Sequence, residues 1–297
     1  LTGDDFSNVV LISVGAISVL AIVFGLGLAI ASKLFAVKTD PRIDEVLEHL
    51  PGVNCGACGY AGCAAAAEAI VKGEAPPDAC PVATGIAHKQ IAGIMGVEVG
   101  EKERAVSVRL CNGGYKVAEK FEYSGVRDCN AAALVHGGPK LCSYGCIGLG
   151  SCIEACPFEA LRMGPDGLPE VIEERCTGCG KCAEVCPKNL FVIQSVKKNV
   201  HIRCRSHDKG GLVKKICDTG CIGCKKCEKE CPVGAITVEG FLASIDYNKC
   251  IACGKCVEVC PQGTIANFRK ARKAGDLVPS AEAVTAASTQ PAGEVSG

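Results

Sequence analysis

Four times between Cys142 and Cys260 the chain closes a short cysteine run on Cys-Pro, at Cys156-Pro157, Cys186-Pro187, Cys231-Pro232 and Cys260-Pro261. No other feature restricts the fold so strongly. Three runs have the full spacing C-x2-C-x2-C-x3-C-P: Cys176, Cys179, Cys182, Cys186; Cys221, Cys224, Cys227, Cys231; and Cys250, Cys253, Cys256, Cys260. That spacing holds cubane iron-sulfur clusters: three thiolates on a tight loop cap three irons of one cube, and the fourth, fixed by proline, turns to a second cube. The runs must then work in pairs. Cys221, Cys224 and Cys227 are expected to share a cube with Cys260, Cys250, Cys253 and Cys256 with Cys231, and Cys176, Cys179 and Cys182 with Cys156.

The block also repeats. Cys142, Cys146, Cys152 and Cys156 recur 75 residues later as Cys217, Cys221, Cys227 and Cys231, and Cys176, Cys179, Cys182 and Cys186 recur after 74 as Cys250, Cys253, Cys256 and Cys260. The repeat unit is a two-cluster module. Leu149 breaks the match by standing where Cys224 aligns. The first cube of the first module therefore needs another ligand, and Cys142 is the nearest candidate to join Cys146, Cys152 and Cys186. Disulfides are a poor reading of 24 cysteines in this pattern, because C-x2-C-x2-C sets neighbouring thiols too close and too regularly. Zinc accounts for the C-x2-C pairs but not for three cysteines followed by Cys-Pro. No cysteine precedes a histidine, which excludes CxxCH haem attachment, and the five histidines, His49, His88, His136, His201 and His207, are scattered packing or surface residues. The formal charge of zero counts thiols as neutral, so a chain loaded with thiolate-held clusters is more acidic than its composition states.

Upstream, Phe6 to Ser32 contains no charged residue over 27 positions. At about 1.5 Å per residue such a helix reaches roughly 40 Å, enough to cross a hydrocarbon core of about 30 Å. It is too long for a signal peptide, whose charged flank would lie on the other side. Asp4 and Asp5 precede it and Lys33, Lys38 and Arg42 follow, which predicts an N-terminus outside and the rest in the cytoplasm, where free thiolates persist. A short helix follows, with Asp40 expected as N-cap, Pro41 in the first position, and Ile43, Val46, Leu47 and Leu50 on one face. Next come Cys55, Cys58, Cys63 and Cys80, within NCGACGYAGC and an alanine-rich helical stretch. Gly56, Gly59 and Gly62 are expected to admit positive φ and close approach of amides to sulfur. These four cysteines suggest one more cube, with a single zinc as the alternative.

Twenty cysteines are thus assigned, leaving Cys111, Cys129, Cys204 and Cys217. Four is the number a sixth cube needs, although Cys129 belongs to an insertion between Asn112 and Lys140 that the second repeat lacks. The alternative groups Cys111, Cys129 and Cys142 and leaves Cys204 and Cys217 as free thiols; six clusters is the preferred count. Strands are predicted over Ala105 to Arg109 and Asn199 to Arg203, each delivering a cysteine, and a hairpin over Ala160 to Ile172 turning at Gly164-Pro165-Asp166-Gly167. Ten Lys or Arg against four acids between Lys197 and Cys231 make the second module basic, a face suited to an acidic partner. No GxGxxG follows a plausible strand, so no NAD site is expected, nor is there a nucleophile-base constellation: no catalytic residue is assigned. The chain moves electrons.

An apolar N-terminal helix, then CGACGYAGC with a distant Cys-Pro, then ferredoxin modules that include LCSYGCIGLGSCIEACPFEAL, resembles the B component of the Rnf complex, a membrane-bound ferredoxin:NAD oxidoreductase that translocates ions. Two ferredoxin modules match the longer, polyferredoxin type. The resemblance implies electrons received from reduced ferredoxin and delivered to membrane subunits, with flavin and NAD held elsewhere in the complex. The fold class expected is α+β: a transmembrane anchor (1–38), a helical iron-sulfur domain (39–100), ferredoxin module 1 with its insertion (101–196), module 2 (197–268) and a basic, disordered tail (269–297). A membrane-anchored polyferredoxin serving another oxidoreductase or a corrinoid-reducing system is the rival, since a related cluster domain occurs there; a zinc-dependent interaction protein is a more distant one. No nucleic acid partner is expected.

Overall fold

The computed structural model describes residues 3–34, 40–100 and 103–268. The basic segment Arg269 to Lys273 and the tail lie outside these residues. Helix α1 runs Gly3–Leu34, and its stretch Ile12–Lys33, with mean hydropathy 2.5, is long and apolar enough to cross a membrane. None of that stretch is buried against the fold. A helix apolar on every side needs an apolar surround, and the described residues do not supply one.

Three helices build a small domain after it: α2 (Arg42–His49), α3 (Cys63–Val71) and α4 (Gly85–Met95). Val46, Ile70 and Ile91 are fully buried at its centre, with Leu50 beside them and Ile43 and Leu47 packed on the same side. The regular part of α2 starts one residue later than expected. Pro41 already has helical angles (φ −59, ψ −24), and Asp40 still accepts the Arg42 N–H at 3.0 Å while pairing with its guanidinium. Helix α4 opens on Thr84, whose Oγ1 accepts from Ala87 N–H at 3.2 Å, and stops at Gly96 in the left-handed region.

The remaining chain folds the same way twice. Strand β1 (Ala105–Arg109) pairs antiparallel with β4 (Phe191–Ser195) around a hairpin of β2 (Leu161–Met163) and β3 (Pro169–Val171). Then β5 (Val200–Ile202) pairs with β8 (Ile265–Asn267) around β6 (Ile236–Glu239) and β7 (Leu242–Ile245). Strand β5 is one residue shorter at each end than the predicted Asn199 to Arg203, although bonds from Arg203 N–H to Thr264 O and from Phe268 N–H to Asn199 O continue its register on both sides. Each half closes on a small core in which cysteines take the place of large side chains: Cys152 and Cys182 beside Leu161, Leu168 and Phe191 in the first half, Cys227 and Cys256 beside Val200, Ile236 and Ile265 in the second. The halves meet through loops. Thr219 Oγ1 donates to Asn112 O at 3.1 Å, and Tyr144 lies edge-on to His207.

Candidate metal centres

The loop carrying Cys55 and Cys58 is turned by Gly56 and Gly59, at φ +68 and +87. Gly62 is different from expectation: its backbone is extended (φ 177), and it is small because a Cβ there would come within 2.9 Å of Asn54 Oδ1. That oxygen accepts the Cys63 N–H at 2.8 Å and fixes the start of α3. Cys80 is buried, its carbonyl held by His88 Nε2 at 2.9 Å, and burial raises its thiol pKa, with Cys58 and Cys55 close enough to add to the effect.

In the first half, Cys156, Cys176, Cys179 and Cys182 line a hollow of about 310 Å³. The sulfurs already receive hydrogen bonds: Ser107 N–H to Cys176 Sγ at 3.3 Å, Ala160 N–H to Cys156 Sγ at 3.3 Å, and a contact of 3.1 Å between Ser107 Oγ and Cys182 Sγ. A second hollow of about 440 Å³ is lined by Cys146, Cys152 and Cys186, and its fourth cysteine is Cys129, not Cys142. The insertion explains the exchange. Cys129 is the first residue of helix α5 (Cys129–Leu134), capped by Asp128 through Ala131 N–H at 2.8 Å. Ser151 Oγ donates to Asp128 Oδ2 at 2.9 Å and accepts the Cys129 N–H at 2.7 Å, tying this helix to α6 (Ser151–Glu154), which carries Cys152. A cysteine from the insertion thus lines the hollow of the half in which Leu149 stands where Cys224 aligns.

Cys142 instead lines a hollow of about 500 Å³ with Cys111, Cys204 and Cys217, whose wall Cys146 also reaches. Each half gives this site the same pair. Gly113 N–H points at Cys111 Sγ (3.5 Å) as Ser206 N–H does at Cys204 Sγ (3.4 Å), and the turns Cys142–Gly145 and Cys217–Gly220 close with equal bonds of 3.3 Å. Cys111 and Cys142 are 31 residues apart, Cys204 and Cys217 13, and the 18 extra residues carry Cys129. In the second half, Cys221, Cys224, Cys227 and Cys260 line a hollow of about 370 Å³. Cys256 neighbours Cys250, Cys253 and Cys231, whose Sγ accepts Ala235 N–H at 3.2 Å.

Among the described residues no three His, Cys, Asp or Glu side chains converge tightly enough to hold one metal ion. Tetrahedral zinc at about 2.3 Å from each sulfur would bring sulfurs to roughly 3.8 Å of one another. Thiols ringing a hollow suit a larger, iron-rich group, and the all-thiol donor sets with amide N–H groups aimed at sulfur fit cubane clusters. Without iron these thiols are strongly disfavoured as anions: burial first, then neighbouring cysteines, pushes Cys146 and Cys256 up to about 12 and Cys227 up to about 11, and burial likewise pushes Cys204 up to about 11.

The groups are also neighbours in an unbroken series. Cys55 acts electrostatically on Cys179, Cys182 on Cys152, Cys111 on Cys146, Cys221 on Cys204, and Cys227 on Cys256. Cys224 and Cys253, in the last two groups, are exposed. Near the middle of the series two guanidiniums lie close together, Arg109 buried and Arg203 half-buried with its Nε inside, and desolvation lowers the pKa of both, that of Arg203 to about 10, leaving them cationic at neutral pH.

Family models match several parts of the chain: an Fe-S cluster domain matches residues 50–82, and 4Fe-4S dicluster domains match residues 141–193, 175–235 and 220–265. Among curated proteins, the chain is 48% identical over 244 residues to the B component of the ion-translocating oxidoreductase complex of Methanosarcina acetivorans, covering 82% of this chain and 92% of that one. It is 45% identical to the B component of the Na(+)-translocating ferredoxin:NAD(+) oxidoreductase complex of Acetobacterium woodii, over 82% of this chain and 73% of that protein. To the proton-translocating counterpart of Clostridium ljungdahlii it is 46% identical, over 80% and 85%. With its 4Fe-4S domains in the same chain, this protein belongs to the family of B components of the ion-translocating Rnf oxidoreductase complexes, and its role is electron transfer.

Proposed function

We propose that the chain is the iron-sulfur conductor of a membrane-bound ferredoxin:NAD oxidoreductase, receiving electrons from reduced soluble ferredoxin and passing them to membrane partners through six 4Fe-4S centres. The observation that carries this reading is the unbroken series of cysteine groups. Its order is Cys231/Cys250/Cys253/Cys256, then Cys221/Cys224/Cys227/Cys260, Cys111/Cys142/Cys204/Cys217, Cys129/Cys146/Cys152/Cys186, Cys156/Cys176/Cys179/Cys182 and Cys55/Cys58/Cys63/Cys80. Each centre, when bound, takes and returns one electron. The protein's part is to hold neighbours close, exclude water and offer N–H groups to sulfur.

Electrons enter at the second half, where Cys224 and Cys253 reach the surface and exposed Lys225 and Lys226 present positive charge to an acidic ferredoxin. They leave from the Cys55 group, whose domain follows the α1 anchor most closely in sequence. The domains are an anchor (1–38), the helical cluster domain (39–100) and two ferredoxin modules (101–196 and 197–268), with α1 in the bilayer, the N-terminus outside and the cluster domains in the cytoplasm. The chain has no complete active site: flavin and NAD belong to other subunits, and no catalytic residue is assigned here.

Iron and acid-labile sulfide should each be about 24 per chain if six cubes are bound. Replacing Cys111 and Cys204 by Ser together should lower both by about four and slow reduction of the first-half centres while the second half still reacts fast. A wild-type value of about 20 that the double variant leaves unchanged would reject the central site.

A further inference from the structure

We propose that Arg203 is a built-in counter-charge that raises the reduction potential of the Cys111/Cys142/Cys204/Cys217 centre, making the junction between the halves a resting place for an electron. The inference rests on the six-centre reading.

Arg203 lines that hollow, and its Nε is buried with no hydrogen-bond partner. Its Nη2 reaches only Cys111 O, at a long 3.5 Å, and its guanidinium lies 5.8 Å from the centre of the Phe268 ring. The strongest charge acting on it is another cation, Arg109, whose Nε is equally buried and unpartnered. Two carboxylates face the pair. Asp166 is 3.7 Å from Arg109 Nη2 and nearly half exposed, and Glu170 is already bonded to Arg162 Nε at 3.2 Å. Of the other cations lining the hollow, Lys140 is paired with Glu119 at 2.8 Å and Arg205 is exposed to water. Arg203 is thus a half-buried cation whose inner edge has no adequate anion, an arrangement that is unfavourable until negative charge is brought in.

Packing does not demand a cation here. Cys111 and Cys204 are equivalent, so the counterpart of Arg203 in the first half is Leu110, a buried apolar side chain. A cube on four thiolates carries net negative charge, and taking up an electron increases it. A fixed cation beside it favours the reduced form and so raises the potential.

The test is a redox titration of the full chain with low-potential dye mediators and dithionite as reductant, followed by electron paramagnetic resonance, on wild type, Arg203→Leu, Arg203→Gln and Arg203→Lys. With iron content unchanged, Arg203→Leu and Arg203→Gln should lower the potential of one centre by at least a tenfold change in its reduction equilibrium, about 59 mV for one electron. Arg203→Lys should restore most of the shift. Full iron with no centre displaced would overturn the proposal, and so would loss of about four irons in both Arg203→Leu and Arg203→Gln, which would make the residue structural. Failure of the six-centre reading is separate, because it shows in wild-type iron alone.

Discussion

Lys225 occupies a backbone position that the three equivalent loops give to glycine. Its φ of 60 matches the left-handed conformation of Gly150, Gly180 and Gly254. A side chain there costs about 1–2 kcal/mol, and a local cost retained beside an exposed cluster ligand points to use of the charge. Lys225→Gly should therefore stabilise the second half by about 1 kcal/mol in denaturant titration. It should also slow reduction by ferredoxin severalfold at low salt, with the difference vanishing at high salt; equal rates in stopped-flow traces at both salts would dissociate Lys225 from docking. Buried thiols give a second expectation. Cys146, Cys182, Cys204, Cys227 and Cys256 are all raised, chiefly by burial, so the iron-free fold binds more protons than its unfolded chain from about pH 8.5 up to about 12. Its stability is then complete below that window and falls as pH rises through it. Urea midpoints of the iron-free chain should drop between pH 7 and pH 10; a constant midpoint would contradict the burial described.

At the scale of elements, the short helix α5 decides which cysteines meet. Its link to α6 runs through one hydroxyl, Ser151 Oγ, which satisfies both Cys129 N–H and Asp128. Ser151→Ala should cost about 1–2 kcal/mol by leaving those partners unmet and speed loss of one cluster to a chelator several times over, read as bleaching in the visible; Ser151→Thr should do neither. The same element marks where the sequence can and cannot be read. Run spacing and proline position carry their own geometry, so the groupings that include Cys156, Cys231 and Cys260 follow from local runs and the crossing that proline imposes. Strand β1 and the β2–β3 hairpin, with alternation and a Gly-Pro-Asp-Gly turn, are local in the same sense. Partitioning Cys111, Cys129, Cys142, Cys204 and Cys217 depends on long-range folding of an insertion without a motif. One signal is present: an insertion of 18 residues holding one cysteine, in the half that lost one at Leu149. Gly62 escapes a sequence reading for a related reason, since a glycine required by a neighbour's Oδ1 looks the same in sequence as one required by φ.

For the whole molecule, the centres are core as much as conductor. Aromatic residues make up 4% of the chain, tryptophan is absent, and in each half cysteine sulfur lies where a larger domain would place Leu or Phe. The fold and the electrical path therefore use the same atoms. The repeated topology, an outer strand pair around an inner hairpin, is legible from the 74- and 75-residue repeat, whereas the contact between halves is not, being made by loops.

That contact has a mechanical side. In the proposed six-centre arrangement, a cube bound by Cys111 and Cys142 from one half and Cys204 and Cys217 from the other would be a rivet as well as a relay, because direct hydrogen bonds across the seam are few among the described residues. On that arrangement, oxidative destruction of this one centre would open the circuit and unfasten the halves in the same event, and the centre would act as a fuse. Brief exposure to air that removes about four irons should make the connecting segment around Lys197 and Lys198 newly sensitive to trypsin while each half stays resistant; resistance unchanged after that loss would show that the loops alone hold the seam.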